Sequence, residues 1–96
     1  MRGFLLLLLA SLAGCAPASG GEPDGARLYF DTCASCHSAD GRGSDRGPAL
    51  TTEAAGFEVD EIVDVILDGE GLMNPVELSI EEAEAVATFV HETLLP

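Results

Sequence analysis

The stretch Asp31–Gly43, "DTCASCHSADGRG", decides how the chain is read. It gathers Cys33, Cys36 and His37, two of the three cysteines and one of the two histidines. The residues before it, "DGARLYF" (Asp24–Phe30), offer a capping acid and an apolar Leu28–Tyr29 pair. This predicts a helix that carries the motif at its end. On helical spacing Cys33 and Cys36 stand three apart and His37 four from Cys33, so all three project from one face. Two thiols so placed can add to the two vinyl groups of a haem while the imidazole reaches the iron from the same side. C-x-x-C-H is the attachment signature of c-type haem. Three other chemistries use the same residues. A thioredoxin-like pair needs a strand before it and a βαβ context, whereas a helix precedes this one. A structural zinc site needs a fourth ligand, and His91 lies far along the chain. A Cys33–Cys36 disulfide closes too short a loop to stabilise much. Haem fits the local pattern best.

Outward from the motif, residues 38–56, "SADGRGSDRGPALTTEAAG", form a long loop with turn signals at Asp40-Gly41 and Gly47-Pro48. Loops this long in small domains usually wrap something. In "FEVDEIVDVILDGEG" Val59, Ile62, Val63 and Ile66 fall on one helical face, the acids on the other, and Gly69 and Gly71 stop the helix. "LMNPVEL" is too short and Pro-broken to be regular. "SIEEAEAVATFVHETLLP" opens on an S-x-x-E capping box, Ser79 and Glu82. Ile80, Ala83, Val86, Phe89 or Val90, and Leu94 line its expected buried face. Three helices and no convincing strand make an all-α domain. Four aromatics (Tyr29, Phe30, Phe57 and Phe89) give it a thin core, which an apolar cofactor at the centre would fill.

A haem iron needs a sixth ligand or an open site. Beyond the leader, Met73 is the only methionine and His91 the only histidine besides His37. Met73 follows the Gly69/Gly71 pair in an irregular segment beside Pro75, where a side chain can be aimed at a cofactor. A lone Met is often a gap filler, but this one has no helical stripe to join. His91 sits among acids on the last helix. Met73 is the better ligand.

The first residues do not read as folded protein. "MRGFLLLLLASLAGC" has one charge, Arg2, then an apolar run from Phe4 to Ala10: the layout of a secretory signal peptide, too short for a comfortable membrane span. Leu12-Ala13-Gly14-Cys15 resembles the lipobox of bacterial lipoproteins. The resemblance implies cleavage after residue 14 and lipidation of Cys15, with residues 15–23 as a flexible tether and 24–96 as the folded domain. Eight residues, Ala16–Pro23, reach about 28 Å at most, which would hold the domain close to a membrane, on the periplasmic side of a bacterial cell envelope. All 17 acidic residues follow Cys15, against Arg27, Arg42 and Arg46, so the processed chain carries a formal charge of −14. That excludes nucleic acid as a partner. It favours a protein with a basic docking face, or else reflects salty surroundings or plain solubility.

With these residues in view, the chain from Gly25 to Leu95 resembles the small class I cytochromes c. In that family a glycine and an aromatic precede the first haem cysteine by eight and four residues, here Gly25 and Tyr29, and pack the first helix across the last near Phe89. A proline after C-x-x-C-H, here Pro48, accepts a hydrogen bond from the haem histidine, and Leu50 would contact the haem. The Met ligand usually stands in Gly-x-Gly-x-Met-Pro. This chain reads Gly69-Glu70-Gly71-Leu72-Met73-Asn74-Pro75, with Asn74 as an extra residue. The resemblance implies a cytochrome c fold of three to four short helices around one covalent haem c, held through Cys33 and Cys36 and ligated by His37 and Met73. The expected protein is a monomer and not an enzyme: a one-electron carrier between redox proteins. Two alternatives stand beside it. One is a haem subunit fixed in a larger respiratory complex. The other is a haem sensor or peroxidase, if Met73 does not ligate.

Overall fold

A computed structural model describes residues 22–96. Cys15 and the tether as far as Gly21 lie outside that range. Among the described residues the elements are α1 (Gly25–Thr32), α2 (Ala34–His37), α3 (Leu50–Glu53), α4 (Val59–Asp68), α5 (Ile80–Phe89) and a π-helical turn, Val90–Leu94. Extended pairing is confined to two isolated bridges, Ser44–Gly47 and Glu70–Met73. The domain is all-α, as the periodicity predicts, with three helices of eight to ten residues and two short ones.

Local chemistry starts each long helix. The Asp24 carboxylate accepts from the Arg27 amide at 3.2 Å. Ser79 and Glu82 form the expected capping box, with bonds of 3.0 and 2.9 Å. Glu58 and Glu61 form a second box at the start of α4, which the S-x-x-E rule passes over because Glu is an uncommon cap. Gly69, at φ +78°, ends α4.

α5 is the axle of the fold, packed against α1 on one side and α4 on another. A Cβ on Gly25 would run into the Ala85 carbonyl and stand 3.2 Å from Phe89 Cβ. Only a glycine lets the backbones of α1 and α5 approach this closely. One turn on, the Tyr29 and Phe89 rings are 5.5 Å apart, and Phe30 completes an aromatic triangle. Tyr29, Ile62, Ile66, Ala83, Val86, Ala87 and Val90 form the buried core.

Three details depart from the sequence reading. The C-x-x-C-H motif does not ride on one continuous helix: α1 ends at Thr32 and α2 restarts at Ala34. Thr32 Oγ1 donates back to the Leu28 carbonyl at 2.6 Å, a bond that bends helices. Ile80, placed on the buried stripe, is 60% exposed. It lies a turn ahead of the point where Gly25 crosses at Ala85. The loop after the motif is also not wholly irregular, because α3 is built on it.

Candidate functional site

The α1–α2 break puts Cys33 and His37 on the wall of a cavity of about 360 Å³. That is within the range of cofactor pockets, about 300–1,000 Å³. The wall is almost wholly apolar. Leu50 and Ala54 come from α3 and its cap, Ile62 and Ile66 from α4, and Val86 and Val90 from α5 and the π turn. Met73 reaches the same cavity from the loop after α4, and Pro48 from the loop before α3. Cys33, His37, Pro48, Leu50 and Met73 therefore converge on one space. Cys36 is half-buried beside Gly47, off the wall. His91 is half-buried on the π turn and does not line the cavity.

His37 is 9% exposed, and its Nδ1 lies 2.8 Å from the Pro48 carbonyl oxygen. A carbonyl can only accept, so Nδ1 carries the proton, and Nε2 is the ring nitrogen left to offer a lone pair. The next residue, Ser38, adopts φ +69°, the only positive φ at a non-glycine among the described residues. Two bonds of 2.7 Å hold it there, one from the Tyr29 hydroxyl to its carbonyl and one from its own hydroxyl to Asp40. Burial, then the nearby Cys33 and Asp40, pushes the Tyr29 hydroxyl up to about 12. Burial also raises the Cys33 thiol, partly offset by the bond to Thr32. The Ser38 hydroxyl and the Arg42 amide lower the Asp40 carboxyl.

The rivals to haem find little support here. Among the described residues no group of three or more His, Cys, Asp or Glu could hold a metal ion, and no strand precedes the cysteine pair. The site does fit a haem: an apolar slot, an imidazole nitrogen and a thioether on its wall, a free thiol on the wall at Cys33, and a second free thiol at Cys36 three residues on but off the wall. Sequence reasoning missed Glu53, Glu70 and Leu72, which also line the cavity and are all exposed, Leu72 at 103%. An exposed leucine on a cavity wall is a property of the rim, which linear pattern does not reveal.

An all-α domain built around this slot belongs to the c-type cytochromes, and comparison with known proteins agrees. Residues 21–90 match the family described as cytochrome C oxidase, cbb3-type, subunit III, and the chain belongs to that cytochrome c family. It is 42% identical to cytochrome c55X of Paracoccus denitrificans (strain Pd 1222) over 71 residues, 68% of this chain and 67% of that protein. It is 29% identical to cytochrome c-555 of Methylococcus capsulatus (strain ATCC 33009 / NCIMB 11132 / Bath) over 87 residues, 90% of this chain and 71% of that one. Among solved structures, the KustC0563 c-type cytochrome superposes with a TM-score of 0.61 at 28% identity, covering 70% of this chain and 93% of that one. Membership implies a covalently bound haem c and electron transfer as the activity.

Proposed function

We propose that the chain is a mono-haem class I cytochrome c, tethered to a membrane through a lipidated Cys15, that carries single electrons between redox proteins on the periplasmic side of the envelope. Residues 1–14 would be the signal peptide, 15–23 the tether and 24–96 the domain. Cys33 and Cys36 would bind the haem covalently, with His37 and Met73 as axial ligands. When bound, the haem supplies the one-electron couple. The observation that carries this reading is that His37, fixed by Pro48, and Met73 line one apolar cavity.

The protein's own residues then have definite tasks. Pro48 holds the His37 proton on Nδ1 and so keeps Nε2 available. Leu50, Ile62, Ile66 and Val86 line the cavity with apolar surface, which would keep water off the haem face and the charge environment steady between oxidation states. Tyr29, with its hydroxyl donated to Ser38, keeps its own proton at ordinary pH. Both intended ligands would be protein side chains, which leaves no position for a substrate and suits a carrier rather than an enzyme.

At the rim, exposed Leu72, Glu53 and Glu70 all line the cavity, an apolar side chain and two carboxylates at one mouth. No lysine or arginine follows Arg46. A partner with a basic docking face would be steered to this mouth. Electron-transfer rates with such a partner should fall about tenfold from low to high salt, and the slope should flatten in a Glu53→Gln/Glu70→Gln variant. Rates flat in salt would refute the steering.

A second reading is a haem subunit fixed in a larger respiratory complex, and the subunit named in the matching family's description favours it. Mild solubilisation separates the two: a carrier elutes alone, a subunit elutes with its complex. A sensor or peroxidase has less behind it. Among the described residues the cavity wall holds no arginine and no second histidine to polarise a bound ligand.

A further inference from the structure

The His37–Pro48 bond joins residues eleven apart in sequence, so the acceptor is only as well placed as the loop that carries it. Two residues inside that loop fix it. Gly43 is wedged between the two ends of the bond. Its amide donates to the His37 carbonyl at 2.9 Å. A Cβ on it would lie 2.7 Å from Ala49 N and 2.8 Å from Pro48 C, the peptide whose oxygen His37 uses. Its φ of +89° further demands glycine. Ser44 ties the loop to the histidine's own helix. Its hydroxyl donates to the Cys36 carbonyl at 2.7 Å and accepts from the Arg46 amide at 3.0 Å. Its backbone pairs with Gly47, the residue before Pro48, through bonds of 2.9 and 3.4 Å.

We propose that Gly43 and Ser44 are positioning residues that hold the Pro48 carbonyl on His37 Nδ1 and thereby set the reduction potential of the protein. A short Nδ1–H···O bond makes the imidazole a stronger donor, which favours the oxidised state. Loosening the loop lengthens that bond, weakens the donor and raises the potential. The inference rests on His37 being an axial ligand.

The test uses the full haem-loaded chain. Ser44→Ala removes both hydroxyl bonds without adding bulk, so it should fold. It should raise the midpoint potential and speed solvent exchange of the His37 ring proton, read by NMR on the reduced protein. Ser44→Thr, which keeps the hydroxyl, should restore both. Gly43→Ala should shift both in the same direction and further; if it fails to fold, the Ser44 pair decides alone. A Ser44→Ala protein of lower thermal stability but unchanged or lowered potential, with unchanged exchange, overturns the inference while leaving the haem site standing. A wild-type chain with no His-ligated haem overturns the site itself, and this inference with it.

Discussion

The two walls that carry the proposed ligands, His37 and Met73, are built in opposite ways. The His37 wall is a polar lattice. Tyr29, Ser38, Asp40 and Ser44 each commit a side chain to the backbone or to one another across residues 36–48, in addition to the His37–Pro48 bond. The Met73 wall is a bare backbone turn. Glu70 and Met73 exchange two bonds of 3.0 and 2.9 Å, Val76 N donates to Ile66 O at 2.8 Å, and among the described residues no side-chain hydrogen bond reaches residues 69–75. Its one tight spot is Gly69, where a Cβ would meet Met73 O at 2.6 Å. On the proposed ligation, position is fixed strongly on the side where an imidazole nitrogen would have to be held in one tautomer and one orientation. On the other side a flexible, proton-free thioether tolerates a simpler support.

Paired glycine substitutions should break this comparison most visibly. Gly47 packs on Cys36, where a Cβ would lie 3.0 Å from both Cys36 Cβ and Cys36 O. Gly47→Leu should cost about 3 kcal/mol by overpacking, measured by denaturant unfolding, and should displace Pro48. At Gly71, φ is +59° and a Cβ would meet nothing within 4 Å, so Gly71→Leu should cost only about 1 kcal/mol of left-handed strain. Equal costs would erase the distinction between the walls.

Tyr29→Phe sharpens the same contrast on a smaller scale. It deletes the 2.7 Å bond to Ser38 and should cost about 1 kcal/mol. Its pH signature is more specific. The hydroxyl is raised from 10.0 to about 12 in the folded chain, so the unfolded chain releases that proton first as pH rises. The stabilisation is whole below pH 10 and is lost towards about 12. Tyr29→Phe should flatten that part of the stability profile; an unchanged profile would show that the loss arises elsewhere.

Much of this architecture is legible in the sequence, because it is written in short-range rules. Ser79 and Glu82 form a box by local bonds and α4 follows its apolar stripe, whereas Gly25 and Tyr29 are picked out only through the resemblance to the class I cytochromes c. What escapes depends on where elements cross. Ile80 fits the stripe but falls outside the helix crossing. α3 begins where Leu50 N finds Gly41 O at 2.7 Å, a bond nine residues back across the loop that no helical periodicity signals. The π turn that carries His91 leaves no periodic signal, and the rim of Glu53, Glu70 and Leu72 exists only once α3 and the loop after α4 meet. In the sequence Gly43 is one turn residue among several, and its closeness to Pro48 is a fact of folding alone.

The His37/Met73 carrier is tested most directly by the ferric and ferrous absorption spectrum of the full chain, exported in a host that matures c-type haem, alongside Met73→Ala. The expected result is a haem that stays with the chain on denaturation, and a sulfur-to-iron band in the ferric wild type that Met73→Ala abolishes. Ferrous Met73→Ala should also bind carbon monoxide while the wild type resists it. A covalent haem whose spectrum lacks that band and does not change with Met73→Ala would contradict the His37/Met73 carrier and turn the site towards ligand binding.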